Sequence, residues 1–416
     1  MGLYHGQQGK VNESLDFTVD FSELEGMART GLLSLSVQLG IKALNIMLED
    51  EVISYAGEKG KHNPSRTAYR HGHERTSVVL GGQKIAIQKP RVRSKDGNGE
   101  LPIETLIQFQ AEDALNNAAL GRVLHGVSIR NYIHTLDETP EGSHSTSKSS
   151  ISRRFTKETE RLMNEFINRR IDDYYPVIMM DGVKIGGYMV IVALGISKAG
   201  DKKVLGIIEG STENAKICTD LIQNMIKRGL DASENRLFVL DGGKGLHKAV
   251  KDVFGENAYI QRCQIHKRRN VQSYLPESEQ RKVKAAMNKA YMEFEYNEAK
   301  KKLELLAREL EFKYPSAAAS LREGLEETLT VHKLKVPGLL RTTLSNTNPI
   351  ESAIGTALDV IGRVKNWQSG DQVLRWASAG FMLAEEKFRA IKGHKQIPFL
   401  TDALSNKKPS ELLKTS

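Results

Sequence analysis

Apolar residues follow different rhythms along the chain, and each rhythm predicts a different kind of element. Between Leu24 and Glu58, Leu33, Val37, Ile41 and Leu44 recur at helical spacing before a loop rich in Gly, Lys and His. Residues 1–60 therefore read as a helical region whose apolar stripe serves packing. Residues 77–93 alternate instead: SVVL, a GGQ turn, then KIAIQKPRVR, as the strands of a hairpin do. The second strand carries Lys84, Lys89, Arg91 and Arg93 and no acid. It either lies along phosphates, with Arg91 and Arg93 touching them, or presents a solvated basic face. Residues 111–155 read as three short helices, AEDALNNAALGRVLHG, VSIRNYIHTL and, after a polar stretch, SKSSISRRF. Helix, Gly-containing turn and short helix make a helix-turn-helix pattern, one shared with three-helix units that never touch DNA. In that arrangement Ser147 or Ser149 caps the last helix, and Arg153 and Arg154 reach phosphate.

From residue 176 the rhythm changes. PVIMMDGVKI, GGYMVIVALGIS and KKVLGIIEG are Val- and Ile-rich runs separated by Gly-containing turns, which predicts three antiparallel strands. STENAKICTDLIQNMIKRGL follows as a helix, with Ile217, Leu221 and Met225 on one face and Gly229 at its end. RLFVLD is a fourth strand, GGKGLHKAVKDVF a helix and AYIQRC a fifth strand. The order βββαβαβ is that of an RNase H-like α/β core rather than a doubly wound sheet. Residues 277–340 are long, highly charged helical stretches, an all-α insertion before one last core helix, NPIESAIGTALDVIGRVKNW. The division is thus a helical region 1–60, a basic hairpin region 61–110 and a helix-turn-helix-like region 111–170. These α+β parts precede the core, which runs 171–275, is interrupted by the helical insertion 276–342, and closes with helices 343–393 before a tail 394–416.

Composition narrows the setting. The 416 residues exceed one ordinary domain, and an apolar fraction of 39% suffices for real cores. Sixty Lys and Arg against 51 Asp and Glu leave a net charge of +9, a moderate signal for a polyanionic partner. Two cysteines, Cys218 and Cys263, exclude a disulfide framework and fit a reducing compartment. The N-terminus lacks the apolar core of a signal peptide, and no uncharged apolar run approaches the ~18 residues of a membrane span. The expectation is a soluble intracellular protein.

Two carboxylates stand out because they end apolar strands, Asp181 in MMDG and Asp241 in LFVLDGG. Either alone reads as an Asp-Gly turn. As a pair ending adjacent strands they are costly unless a cation compensates them, and Mg²⁺ favours a few carboxylates with water and substrate phosphate. A two-metal site needs a third acid. Glu351 in TNPIES is the candidate, but with Asn348 as N-cap and Pro349 as first helical residue it would be a capping-box Glu. Glu209, ending a strand, and Asp359, two turns along the same helix, are rivals. GGKG at 242–245 lacks the spacing of a nucleotide-binding loop, so no nucleotide is implied.

The stretches DGVKIGGYMVIVALGIS, VLGIIEGSTENA, MIKRGL, VLDGGKGLHKAV, QRCQIHKRRNV and RTTLSNTNPIES, in this order from about 180 to 370, resemble the Mutator-family bacterial insertion-sequence transposases, a branch of the DDE recombinases. The basic PRVR and the GVS turn at 126–128 extend the likeness upstream. The resemblance implies catalytic, metal-holding roles for Asp181, Asp241 and Glu351, with two Mg²⁺ (or Mn²⁺) ions serving DNA strand cleavage and strand transfer. It also implies a C-x₂-H element, Cys263 and His266, in a supporting role; four ligands for a structural zinc are not there. Lys267, Arg268 and Arg269 then form a basic helix start suited to phosphate, and GRVKNWQ supplies Arg363 and Lys365. The implied partners are DNA, as terminal inverted repeats and target, and a second copy of the chain on paired ends, in a prokaryotic cytoplasm at the nucleoid. The chain departs from the family at Cys218, where relatives usually have Trp, and in the length of ETPEGSHSTSK. Two alternatives stay open: another RNase H-fold nuclease such as a junction resolvase, or a DNA-binding regulator that has lost catalysis.

Overall fold

The computed structural model describes residues 32–80, 83–97, 99–110, 120–125, 143–144, 148–210, 214–364 and 366–405. Two compact units divide the chain, one comprising 1–123 and 127–155, the other 124–126 and 156–416.

In the first unit, helix α1 (Leu32–Ala56) buries Leu44, Leu48, Val52 and Ala56, one residue per turn. This stripe lies against the hairpin of β1 (Ala68–Leu80) and β2 (Gln83–Ser94), where Ala68, Val78, Ile87 and Val92 share its core with Ile103 and Leu106 from α2 (Glu104–Gln110). The hairpin is longer than alternation predicts, since β1 begins at Ala68 and pairs with β2 from Ala68↔Ser94 to Leu80↔Gln83. Its first half, AYRHGHERT, is largely solvated and so shows no apolar alternation. A two-residue β3 (Ser143–His144) adds to β2. Most of the helix-turn-helix expected at 111–155 lies outside the described residues. Its last segment belongs to one 21-residue helix, α3 (Lys148–Asn168), which runs well past Phe155.

The second unit is built on a five-stranded sheet. The strands are β4 (Val177–Ile185), β5 (Tyr188–Ile196), β6 (Lys202–Gly210), β7 (Arg236–Leu240) and β8 (Ala258–Arg262), in spatial order β6-β5-β4-β7-β8. The first three are antiparallel, whereas β4-β7 and β7-β8 pair in parallel. Helix α4 (Ala215–Lys227) precedes β7 and α5 (Lys244–Phe254) precedes β8, so the elements come in the expected order. The Asn214 side chain caps α4 by accepting from the Ile217 N–H at 3.0 Å. Gly229 follows its end at φ +117°, with the Ile171 carbonyl where a Cβ would sit.

Alternation assigns each strand residue to a face. Ile178, Met180, Phe238 and Leu240 meet Leu221, Ile222, Leu246 and Val250 of α4 and α5. Val177, Met179, Leu237 and Val239 face the other way, onto α12 (Asn348–Ile361) and α13 (Gly370–Glu385). Between β8 and α12 the chain forms α6 (Gln264–Gln272), α7 (Glu277–Tyr291), α8 (Tyr296–Glu311), α9 (Pro315–Arg322), α10 (Thr330–Lys333) and α11 (Gly338–Leu344). Helices α7 to α9 surround a core of their own, including Val283, Met287, Leu303, Leu310 and Leu321. A final helix, α14 (Ile397–Ser405), adds Leu400 and Leu404 to the α12 side. Among the described residues no helix is long and apolar enough to cross a membrane.

Candidate active site

The register of the parallel pair β4-β7 ends with Met180 beside Leu240, so the next residues, Asp181 and Asp241, come side by side. Asp241 follows the end of β7, whereas Asp181 is not the strand end expected but lies midway along β4, which runs on to Ile185 paired with β5. Both continue the face occupied by Met179 and Val239, the face that α12 covers through Ile350 and Ala353. Glu351, in the first turn of α12, is thereby brought to the two aspartates from across the layer. The electrostatics record the convergence. Burial raises Asp181 to about 7, the Asp241 carboxylate adds to the rise, and Glu351 contributes further. The Gly182 N–H, donating to Asp181 Oδ1 at 2.8 Å, and His266 oppose it. Asp241 Oδ1 likewise accepts from the Gly243 N–H at 2.8 Å.

The start of α12 differs from the expected cap. Thr347, not Asn348, is the N-cap residue, which puts Glu351 a full turn along rather than at the capping-box position. The Glu351 backbone N–H already bonds the Thr347 carbonyl at 3.0 Å, and its carboxylate accepts from the Thr347 hydroxyl at 2.7 Å. Glu351 is thus held by the cap residue rather than capping the helix.

Thr347 also ties in Cys263 and His266. Its Oγ1 lies 3.4 Å from both Cys263 Sγ and His266 Nδ1. A hydroxyl has one proton, so Thr347 donates either to the Glu351 carboxylate or to the Cys263 sulfur, and its lone pairs face the imidazole. Backbone bonds fix the same junction: Cys263 N–H to Leu240 O at 2.7 Å, and Gln264 N–H to Ser345 O at 2.9 Å. Burial pushes the Cys263 thiol up, yet the hydrogen bonds of His266 and Thr347 outweigh it and hold the thiol below its usual range. His266 is raised, first by its hydrogen bond with Cys263, and, against partial burial, by the charges of Cys263, Asp241 and Glu351. These influences favour an imidazolium beside the three carboxylates.

The rivals fall away from this cluster. Asp359 is exposed two turns farther along α12. Glu209 sits on β6 opposite Val190, with β5 between it and β4, and its carboxylate packs over Gly370.

Of the basic residues expected to touch phosphate, several are otherwise engaged. Lys267 is fully buried, and its ammonium donates to the carbonyls of Ser320, at 2.6 Å, and Glu323. It ties α6 to the end of α9 and does not face solvent, because those carbonyls, some fifty residues away in sequence, supply its acceptors. Burial lowers it to about 8. Arg154 is buried as well. Arg91 is committed to Glu100 at 2.9 Å and Lys89 to Glu74 at 3.0 Å, so the acids missing from β2 come from its neighbours. Arg93, Arg153 and Arg269 are exposed, and Arg268 bonds Asn288 Oδ1. Arg363 is exposed and donates to the Leu124 carbonyl at 2.9 Å; Lys365 and Ser147 lie outside the described residues. Sequence reasoning missed Thr347, whose only signal was its place one turn before Glu351. It also missed Arg262, buried at the end of β8 and bonded to the Glu323 carbonyl at 3.1 Å. Gly242, at φ +106°, leaves room for that guanidinium, since a Cβ there would lie 2.4 Å from Arg262 Nε.

The donor set suits a hard divalent cation. The three acids offer only oxygen, and among the described residues no Lys or Arg forms an ion pair with any of them. Among those residues no three His, Cys, Asp or Glu side chains are grouped so that they could hold a metal ion as they stand. An ion at these acids would have to keep water and substrate oxygen in its shell, as Mg²⁺ does.

A mixed α/β protein with three carboxylates gathered where two inner strands of a sheet part is the class these observations define. Residues 14–356 match the family described as Transposase, Mutator family, and the chain belongs to it. It is 26% identical over 349 residues to the transposase for insertion sequence element IS256 in transposon Tn4001 of Staphylococcus aureus, covering 80% of this chain and 86% of the relative. It is 27% identical over 311 residues to the transposase for ISRM5 of Rhizobium meliloti, covering 73% and 75%. Against the transposase for IS406 of Burkholderia multivorans the identity is 28% over 331 residues, covering 77% and 82%.

Proposed function

We propose that this transposase cuts and joins DNA strands at the ends of an insertion sequence, by metal-dependent phosphoryl transfer at Asp181, Asp241 and Glu351 on an RNase H-like core. The observation that carries the reading is the convergence of three carboxylates, Asp181 beside Asp241 by the β4-β7 register and Glu351 from the first turn of α12, with no ion pair to Lys or Arg among the described residues. The strand order and the mixed pairing of the sheet support the RNase H-like assignment. When bound, divalent ions at these acids would activate the attacking oxygen and stabilise the leaving one. The chain's own part is to hold the acids: Asp181 and Asp241 by the strand register and the Gly182 and Gly243 N–H groups, Glu351 by the Thr347 hydroxyl. His266 moderates their mutual repulsion. No covalent intermediate with the protein is part of the scheme. The test is nicking of a plasmid carrying the inverted repeats that flank the gene. Site-specific nicks with Mg²⁺ or Mn²⁺, none with EDTA, are expected; nicking indifferent to chelation would overturn the reading.

A further inference from the structure

Beside the acids a cleft of about 480 Å³ opens between the core and the helical insertion, within the second unit. It shares its walls with the active site. Gln264 and Ile265 line it and lie between Cys263 and His266, while Asn346 and Asn348 line it and flank Thr347. No Asp or Glu contributes to the lining, but two guanidinium groups do, Arg268 and Arg341. Neither forms an ion pair among the described residues; Arg268 bonds the Asn288 amide oxygen and Arg341 the Glu293 carbonyl at 3.0 Å.

The far wall is part polar and part apolar. Tyr291 and His332 line the cleft from the insertion side, with the Tyr291 hydroxyl and His332 Nδ1 buried beneath the surface. His332 Nε2 is 3.1 Å from the Tyr291 carbonyl and so carries the proton. Two large apolar side chains are exposed nearby: Met292, which lines the cleft, and Phe294, whose ring lies 5.5 Å from the Arg341 guanidinium. Two guanidinium groups with no ion pair among the described residues, beside the exposed Met292 and Phe294, suit a nucleotide with an unstacked base. The volume falls in the ~300–1,000 Å³ range of small-ligand pockets, too small for a duplex.

We propose that this cleft is a subsite for one unpaired nucleotide of the DNA substrate, adjacent to the bond being cut. Arg268 and Arg341 draw its phosphate, and the exposed Met292 and Phe294 side chains meet its base. The inference rests on the DNA-cutting function proposed above. It gives the helical insertion a role that its lack of metal-binding acids leaves open: to hold a frayed strand end against the core.

The test uses the full chain and a short fluorescein-labelled single strand carrying 4-thiothymidine. Photo-cross-links on the unmodified protein are expected in the peptides containing Tyr291, Met292 or Ile265. Arg268→Gln and Arg341→Gln should each weaken single-strand binding about fivefold and flatten the salt slope by about 0.7 for each phosphate no longer neutralised. Cross-links confined to other peptides, or salt slopes unchanged in both variants, would overturn the subsite and leave the transposase reading intact. Binding of neither single-stranded nor duplex probe by the unmodified protein would overturn both. Because the cross-link map needs no substitution, a variant that fails to fold does not decide the matter.

Discussion

Asp181 shows at the scale of one residue what the site costs the fold. Its folded value, about 7, lies above the ordinary 3.8 of an aspartate. The folded chain therefore holds the proton more tightly than the unfolded chain. The stability this group contributes is complete below about pH 4 and is lost as pH rises through about 7. Asp181→Asn removes the penalty, so without divalent metal its Tm should exceed the natural protein's by several degrees at pH 8 and match it near pH 4. A variant less stable at pH 8 would contradict this. Mn²⁺ should raise the Tm of the natural protein at pH 8 and leave the variant nearly unmoved. Thr347 is the second residue whose role is local. Thr347→Val removes the donor to Glu351, worth about 1.5 kcal/mol for a bond to a charged group, or about tenfold. Mn²⁺ affinity measured by titration should fall by that factor, and Thr347→Ser should restore it. Equal affinities for Val and Ser would show that the hydroxyl only fills space.

Elements are legible in the sequence where burial is one-sided or complete. The runs MMDG and LFVLDGG reveal β4 and β7 because both faces of those strands are covered, leaving only apolar residues before the acid. The first half of β1 is not legible, because its side chains are mostly solvated and only pairing with β2 makes it a strand. The start of α12 lies one residue from where its capping signals put it, which turns a cap into a positioned carboxylate. Lys267 escapes a local reading for a more general reason. A Lys between His266 and two arginines reads as a solvated basic run, and nothing local reveals that the chain near Ser320 returns to accept its protons. Lys267→Ala should therefore cost about 2–4 kcal/mol of stability, the range for uncovering buried partners of a charge. Urea unfolding checks this. The salt dependence of DNA binding should not change, as it would if Lys267 touched phosphate.

At the scale of the whole molecule, chemistry is assembled from residues far apart in sequence. The sheet brings the middle of β4 beside the end of β7, helices between β8 and α12 form a core of their own, and α12 returns with the third acid. Local sequence singles out all three acids but leaves each a structural explanation; the family resemblance points to a shared site, and the fold brings Asp241 and Glu351 close enough to raise Asp181. The most direct measurement compares Mg²⁺-dependent cleavage of insertion-sequence ends by the natural protein and by Asp181→Asn, Asp241→Asn and Glu351→Gln, with DNA binding measured alongside. Loss of about 4 kcal/mol of transition-state stabilisation would slow cleavage about a thousandfold. Each variant is expected to lose cleavage on that scale while binding DNA nearly as before. A folded Glu351→Gln protein that cut DNA at close to the natural rate would contradict the assignment.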